Sequence, residues 1–251
     1  MERKLDVGGS KFESSIGKSN FIIFKKNGKI LDENITSITN LWGVENNSDR
    51  ISDKALALIK ESNDSLIFYG KASNIKCRNI CGYPSIRIGK SPWDKRDLFE
   101  IGQVKKYDKI EISTHWAFKA NGEFANFVYD IWITKNKDGY LTEDDIELMV
   151  WLDKNKEFKS WEDFGNFKGF NVRFTKKTSN WNNGGFIFAF IYLNKNNKRK
   201  FDLIKLIDYC KKKIANVKCY YIRSIELGTE FAKNTEVQVK LKKAEVNFVT
   251  K

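Results

Sequence analysis

The sequence predicts an all-β fold, a β-jelly roll sandwich of two curved antiparallel sheets with one α-helix packed on the convex side. Short alternating apolar runs recur through the chain, and several stop at Asn-Gly or Asp-Gly pairs, at 27–28, 121–122 and 138–139. Only one segment, 201–214, keeps clear helical spacing. The 251 residues hold two prolines and neither a low-complexity linker nor a solenoid repeat, which fits one domain spanning 1–251.

The elements follow in order. Residues 1–20 are polar and are expected to be loosely held. A first run at 21–24 ends at Asn27-Gly28, residues that accept the positive φ a tight hairpin turn needs. Residues 51–60 suit either structure, because Ala55-Leu56-Ala57-Leu58 serves a helix as well as a strand. Strands are expected at 65–69, at 109–118 before Asn121-Gly122, and at 127–134 before Asp138-Gly139. Further alternating runs lie at 146–152, 169–174, 186–193, 217–227 and 236–248. In the helical segment Phe201, Ile204, Ile207, Cys210 and Ile214 fall on one face, with Leu203 and Leu206 alongside. Asp202 at its start and the lysines at 211–213 at its end suit the helix dipole.

Composition narrows the function. Hydrophobic residues make up 41% of the chain, with 19 Phe, 9 Tyr and 7 Trp, so aromatic burial should dominate the core. The longest apolar run, 185–193, is too short to cross a bilayer and suits a buried strand. The first residues lack the apolar segment of a secretory signal, which leaves a cytosolic protein or a mature, trimmed extracellular form; a polymeric substrate favours the second. A formal charge of +13 raises nucleic acid as a partner, but the lysines are scattered and no nucleic-acid motif accompanies them. The expectation is a solvated basic surface, with neither nucleic acid nor membrane as partner. Cysteines at 77, 81, 210 and 219 match no zinc pattern; a Cys77–Cys81 bridge, a Cys210–Cys219 bridge and unpaired buried thiols all stay open.

The chemistry concentrates in residues 145–152. Side chains alternate along a strand, so Glu147, Met149 and Trp151 share one side while Leu148, Val150 and Leu152 share the other. A carboxylate, a thioether and an indole suit the floor of a sugar-binding cleft better than a solvated surface. On the preceding strand Asp130 and Trp132 face away from Tyr129, Ile131 and Ile133, and hairpin pairing sets that first face beside Glu147, where an Asp hydrogen-bonds a Glu. Acids that simply point to solvent would show the same spacing. Far downstream, Gly228-Thr229-Glu230 closes another strand. Two glutamates on separate strands across one cleft are the minimal equipment for retaining glycoside hydrolysis. His115 has no triad or metal partner and reads as structural. Residues 136–139 lack the run of acids a calcium site needs, so neither a metal nor a cofactor is expected. Trp93, Trp116, Trp161 and Trp181 are read as core before cleft.

Five segments in this order resemble glycoside hydrolase family 12, the compact endo-β-1,4-glucanases, over roughly residues 35–245. They are Asn40-Leu41-Trp42-Gly43, Gly82-Tyr83-Pro84 followed by Gly89, Tyr129-Asp130-Ile131-Trp132, the run from Glu147 to Leu152, and Gly228-Thr229-Glu230. The resemblance implies an open cleft along a concave sheet face, with Glu147 as nucleophile, Glu230 as acid/base and Asp130 hydrogen-bonded to the nucleophile. It implies that Asn40 and Trp42 hold a glucosyl unit on the non-reducing side, that Met149 lies under the reacting sugar, and that Trp132 is a further substrate-binding residue. Phe231-Ala232-Lys233 after Glu230 departs from better-known members. The expected protein is a monomeric, cofactor-free, retaining endo-β-1,4-glucanase acting on a β-linked glucan of the cellulose, mixed-linkage or xyloglucan type. The alternative is a carbohydrate-binding jelly roll without catalysis, which needs no pair of glutamates.

Overall fold

The computed structural model of the chain describes residues 3–7, 11–17, 19–31, 35–45, 54–90, 92, 99–157, 161–177, 185–193 and 196–251. Its strands run β1 (Arg3–Val7), β2 (Lys11–Gly17), β3 (Ile22–Lys26), β4 (Lys29–Ile30), β5 (Ile35–Asn40) and β6 (Ala55–Glu61). There follow β7 (Leu66–Ala72), β8 (Ser85–Gly89), β9 (Gly102–Gln103), β10 (Tyr107–Gly122), β11 (Asn126–Thr134) and β12 (Ile146–Lys154). The last are β13 (Glu162–Phe167), β14 (Phe170–Lys177), β15 (Gly185–Tyr192), β16 (Lys198–Asp202), helix α1 (Leu203–Cys210), β17 (Tyr221–Gly228) and β18 (Thr235–Thr250).

Among the described residues these strands make two sheets. The smaller has the order β1-β6-β7-β18-β10-β16, with β3 and β4 attached at β18. The larger has the order β13-β14-β15-β12-β11-β17-β8-β5-β2, with β9 on β17. Pairing is antiparallel except at β12–β15 and β3–β18. The parallel join at β12 arises because the chain first passes through β13 and β14, which pair with each other, β14 also pairing with the outer side of β15.

The alternation seen in the sequence is the alternation between core and cleft. Tyr129, Ile131, Leu148, Val150, Phe188 and Phe190 point from the larger sheet toward Phe68, Ile112, Trp116 and Val239 of the smaller one, all buried. Full burial of such a side chain contributes roughly 1.5–3 kcal/mol. Polar ends inside the sandwich are paired: the Tyr129 and Thr114 hydroxyls lie 2.8 Å apart, and the Trp116 indole donates to Asp153 at 3.2 Å. Trp116 is therefore core, as the sequence led one to expect. Trp93 and Trp181 lie outside the described residues.

Several elements differ from expectation in instructive ways. The helix is shorter than 201–214 because 198–202 pair with β10, Phe201 lying opposite Ile112. Asp202 then caps the helix, its carboxylate accepting from the Ile204 N–H at 3.1 Å. Tyr209 packs against Phe164, Phe167 and Phe190, so α1 covers the face of the larger sheet turned away from Met149 and Trp151. The ambiguous 51–60 stretch holds most of β6, which pairs along its length with β7. The first twenty residues contribute β1 to one sheet and β2 to the other.

Candidate active site

On the outer face of the larger sheet the strand registers set side chains in rows. Arg87, Glu226, Asp130, Met149 and Ala189 stand directly opposite one another in one row. Gly89, Ser224, Trp132, Glu147 and Ile187 form the next. Ser85, Gly228, Val128, Trp151 and Ile191 form the third. Glu147 thus faces Trp132 across the β11–β12 pair, and Asp130 faces Met149, one step diagonal from Glu147. The hairpin expected from the sequence does bring Asp130, Trp132, Glu147 and Met149 to one face.

That face has an apolar floor. Met149, Trp151, Val128, Ala189, Ile187 and Ile191 pack together with Tyr83, and the half-buried Phe124 and Trp161 lean on them. Trp161 meets the Trp151 ring edge-on at 6.3 Å, so this indole belongs to the floor rather than to the core between the sheets. At the far end, beyond Trp151, Asn155, Asn171, Arg173 and Ile191 help line an open pocket of about 400 Å³.

Glu230 reaches the site from the turn after β17, and the buried Asn126 at the start of β11 fixes it. The Asn126 side-chain amide donates to Glu230 Oε2 at 2.6 Å, while its Oδ1 accepts from the Glu230 N–H at 3.1 Å. Next in the chain, Phe231 is fully buried, with its ring against Gly70 and its backbone bonded to Gly82 and Cys81. The loop after Glu230, which the sequence marks as a departure, is thus a buried anchor.

Tyr83 links the acids. Its hydroxyl is buried, and its ionisation is pushed well above the ordinary tyrosine value by that burial and then by Asp130, Glu226, Glu230 and Glu147 in turn. The strand registers set Asp130, Glu226 and Glu147 on one face, and Asn126 at the start of β11 holds Glu230.

Asn40 and Trp42 sit at the β5 side of the same sheet, both half-buried. The Asn40 carbonyl accepts from Tyr83 N–H at 3.1 Å. A Cys77–Cys81 disulfide braces this corner: Gly43 N–H donates to Cys81 O at 3.1 Å, and Arg78 N–H to Gly43 O at 2.8 Å. Cys210 is a buried free thiol and Cys219 an exposed one. In the 136–139 loop, Asp138 pairs with Lys90 at 3.2 Å and Lys137 with Glu100 at 2.8 Å. Among the described residues no group of three or more His, Cys, Asp or Glu is placed to hold a metal. His115 lies on the smaller sheet opposite Lys198 and Lys243.

Sequence reasoning missed Asn126, Arg87 and Glu226, and gave Tyr83 no role of its own. Glu226 alternates in step with Ser224 and Gly228, a signal that was available; Arg87 and Asn126 gain meaning only from partners more than a hundred residues away.

A two-sheet sandwich that gathers glutamates over an aromatic floor on one outer face defines a class, the jelly-roll glycoside hydrolases. Within it the chain belongs to glycosyl hydrolase family 12, whose model matches residues 36–247. Solved structures agree on the fold. A family 12 xyloglucanase from Bacillus licheniformis superposes with a TM-score of 0.74 at 17% identity, covering 97% of this chain and 98% of the other. An endoglucanase from Rhodothermus marinus gives 0.64 at 16% identity, with 99% of each chain covered. Endoglucanase 3 from Trichoderma harzianum gives 0.60 at 14%, covering 95% and 97%. At such identities the likeness is one of fold. No curated protein matches the chain. Among the described residues no helix is long and apolar enough to cross a membrane.

Proposed function

We propose that the protein is a retaining endo-β-1,4-glucanase, one domain working as a monomer without a cofactor. The observation that carries the reading is that Glu147 projects from β12 on the face that carries the Met149–Trp151 floor, while Asn126 at the start of the neighbouring β11 holds Glu230 in the turn after β17. In this reading Glu147 attacks the anomeric carbon and forms a glycosyl-enzyme intermediate, while Glu230 protonates the departing oxygen. Glu230 then removes a proton from the water that releases the sugar. Asp130 supports Glu147 from the neighbouring strand.

The floor suits a β-glucan, whose sugar rings present flat apolar faces and whose hydroxyls lie at the edge. From β5 to β15 the sheet spans five strand gaps, roughly 24 Å, which leaves room for several sugars across the strands. Asn40 and Trp42 would hold the non-reducing side, Trp132 and Met149 the reacting sugar, and the pocket beyond Trp151 the departing chain. The Cys77–Cys81 disulfide favours an oxidising, extracellular setting.

Reducing-sugar release from carboxymethyl cellulose, mixed-linkage glucan and xyloglucan tests the activity and ranks the substrates. Glu147→Gln and Glu230→Gln should each abolish turnover while keeping the fold. Undiminished hydrolysis by either variant sinks the assignment.

A further inference from the structure

Arg87 and Glu226 form an ion pair buried in the cleft floor, and the reaction as described uses neither. Arg87 is 2% exposed and Glu226 6%, and Arg87 Nη1 stands 3.6 Å from Glu226 Oε1. The Ser224 hydroxyl donates to the same oxygen at 3.4 Å. A buried ion pair is seldom kept for stability alone, since a well-packed apolar pair often does as well.

Its place in the row supplies a role. Glu226 lies directly opposite Asp130, between it and Arg87. Opposed side chains on paired strands have their Cβ atoms roughly 4.5–5.5 Å apart. Glu226 is buried and Asp130 half-buried, so each of two carboxyls this close disfavours ionisation of the other, and a cation beside one of them draws the negative charge to that one. Arg87 adjoins Glu226, so Glu226 is the ionised member and the proton falls to Asp130. Glu147 on β12, ionised as the nucleophile and one step diagonal from Asp130, acts the same way. A protonated carboxyl can donate a hydrogen bond, whereas an ionised one only accepts.

We propose that the Arg87–Glu226 pair is a positioning device for the reaction, fixing a negative charge opposite Asp130 so that Asp130 keeps its proton and offers it as a hydrogen bond to Glu147. The inference rests on reading Glu147 as the nucleophile. It sets an alternating row across the floor: Arg87 positive, Glu226 negative, Asp130 neutral and, one step diagonal, Glu147 negative.

The test is Glu226→Gln, which keeps the shape and removes the charge. The alkaline limb of kcat/KM on β-glucan should move down by about one pH unit. In a ¹³C titration of labelled aspartates, the Asp130 carboxyl, identified by its loss in Asp130→Asn, should move the same way. Arg87→Met strands the Glu226 charge and should lower kcat/KM at least tenfold on the scale of a lost buried partner, and Arg87→Met/Glu226→Gln should recover most of that loss. An active wild type whose Glu226→Gln variant leaves both the alkaline limb and the Asp130 titration unmoved overturns the proposal. If Glu226→Gln does not fold, the double variant is read in the same way, a downward shift supporting the device and unmoved titrations overturning it. Should the wild type cleave no β-glucan, the parent reading fails, and the ¹³C titration still decides whether Glu226 holds the proton on Asp130.

Discussion

Asn126 and Glu230 grip each other at three points, although 104 residues separate them. The Asn126 amide donates to Glu230 Oε2 at 2.6 Å, its Oδ1 accepts from Glu230 N–H at 3.1 Å, and its own N–H donates to Glu230 O at 3.1 Å. An amide N–H cannot accept a proton, so Oε2 is held as an acceptor. Any proton that Glu230 carries then sits on Oε1, the oxygen that delivers it to the departing sugar in the proposed reaction.

Replacing Asn126 by Ala should therefore lower kcat roughly 10- to 100-fold on a natural β-glucan, the scale of one hydrogen bond to a charged group. KM should change little. An aryl cellobioside with a dinitrophenolate leaving group needs no protonation, and its glycosylation step should lose much less. Equal losses on both substrates would show that Asn126 serves the fold and not the proton.

Gly70 on β7 carries a second test, because a Cβ added there would run into the Phe231 ring. Phe231 is fully buried next to Glu230 and cannot yield cheaply. Gly70→Ala should cost about 1–3 kcal/mol of stability and should also displace Glu230, so that activity falls even where the protein is fully folded. Gly70→Ala/Phe231→Leu should restore much of both, read by thermal unfolding and by turnover below the transition. Full activity in the single variant would separate Phe231 from the placing of Glu230.

The parts of this site that were legible in the sequence are those that local rules dictate. Asn27 and Gly28 announced a hairpin, and both have positive φ, 49° and 79°, between β3 and β4. The alternation of 146–152 separated Glu147, Met149 and Trp151 from the core, and the registers agree. The helix boundary was not legible, because Phe201 and Ile204 suit a helical face, while Phe201 also suits the strand pairing with β10 that claims it. Nor were the supports of the site. Arg87 reads as an isolated charge in an apolar run until β8 meets β17, and Gly70 has no meaning until the smaller sheet brings it under Phe231. Pairings over such separations depend on the order of strands in the sheet, which no local pattern contains.

The Cys77–Cys81 bridge closes a short loop, and loop-closure entropy alone makes it worth roughly 2 kcal/mol. Its position matters more than that sum. The bridged segment bonds to Gly43 from both sides, through Cys81 O and Arg78 N–H, and Gly43 follows Trp42 directly. In Cys77→Ser/Cys81→Ser the melting temperature should fall modestly, and KM for cello-oligosaccharides should rise severalfold with kcat nearly kept. A fall in kcat without a change in KM would mean that this corner does not hold substrate.

Alkaline stability follows from the buried tyrosines. Burial pushes the hydroxyls of Tyr83 and Tyr129 well above the ordinary 10.0, and neighbouring carboxylates push Tyr83 further. The folded protein therefore keeps protons that the unfolded chain gives up. A raised folded-state value means stability that is intact below 10.0 and drains away as pH rises above it, by roughly 1.4 kcal/mol per pH unit for each such tyrosine. Denaturant midpoints measured on either side of pH 10.0 should show this fall. Phenolate absorbance in the native state should remain short of the full nine tyrosines until the protein unfolds, when the missing signal should appear in one step. A native titration in which all nine ionise together near 10.0 would place Tyr83 and Tyr129 in contact with water and undo the closed floor around the first and the closed core around the second.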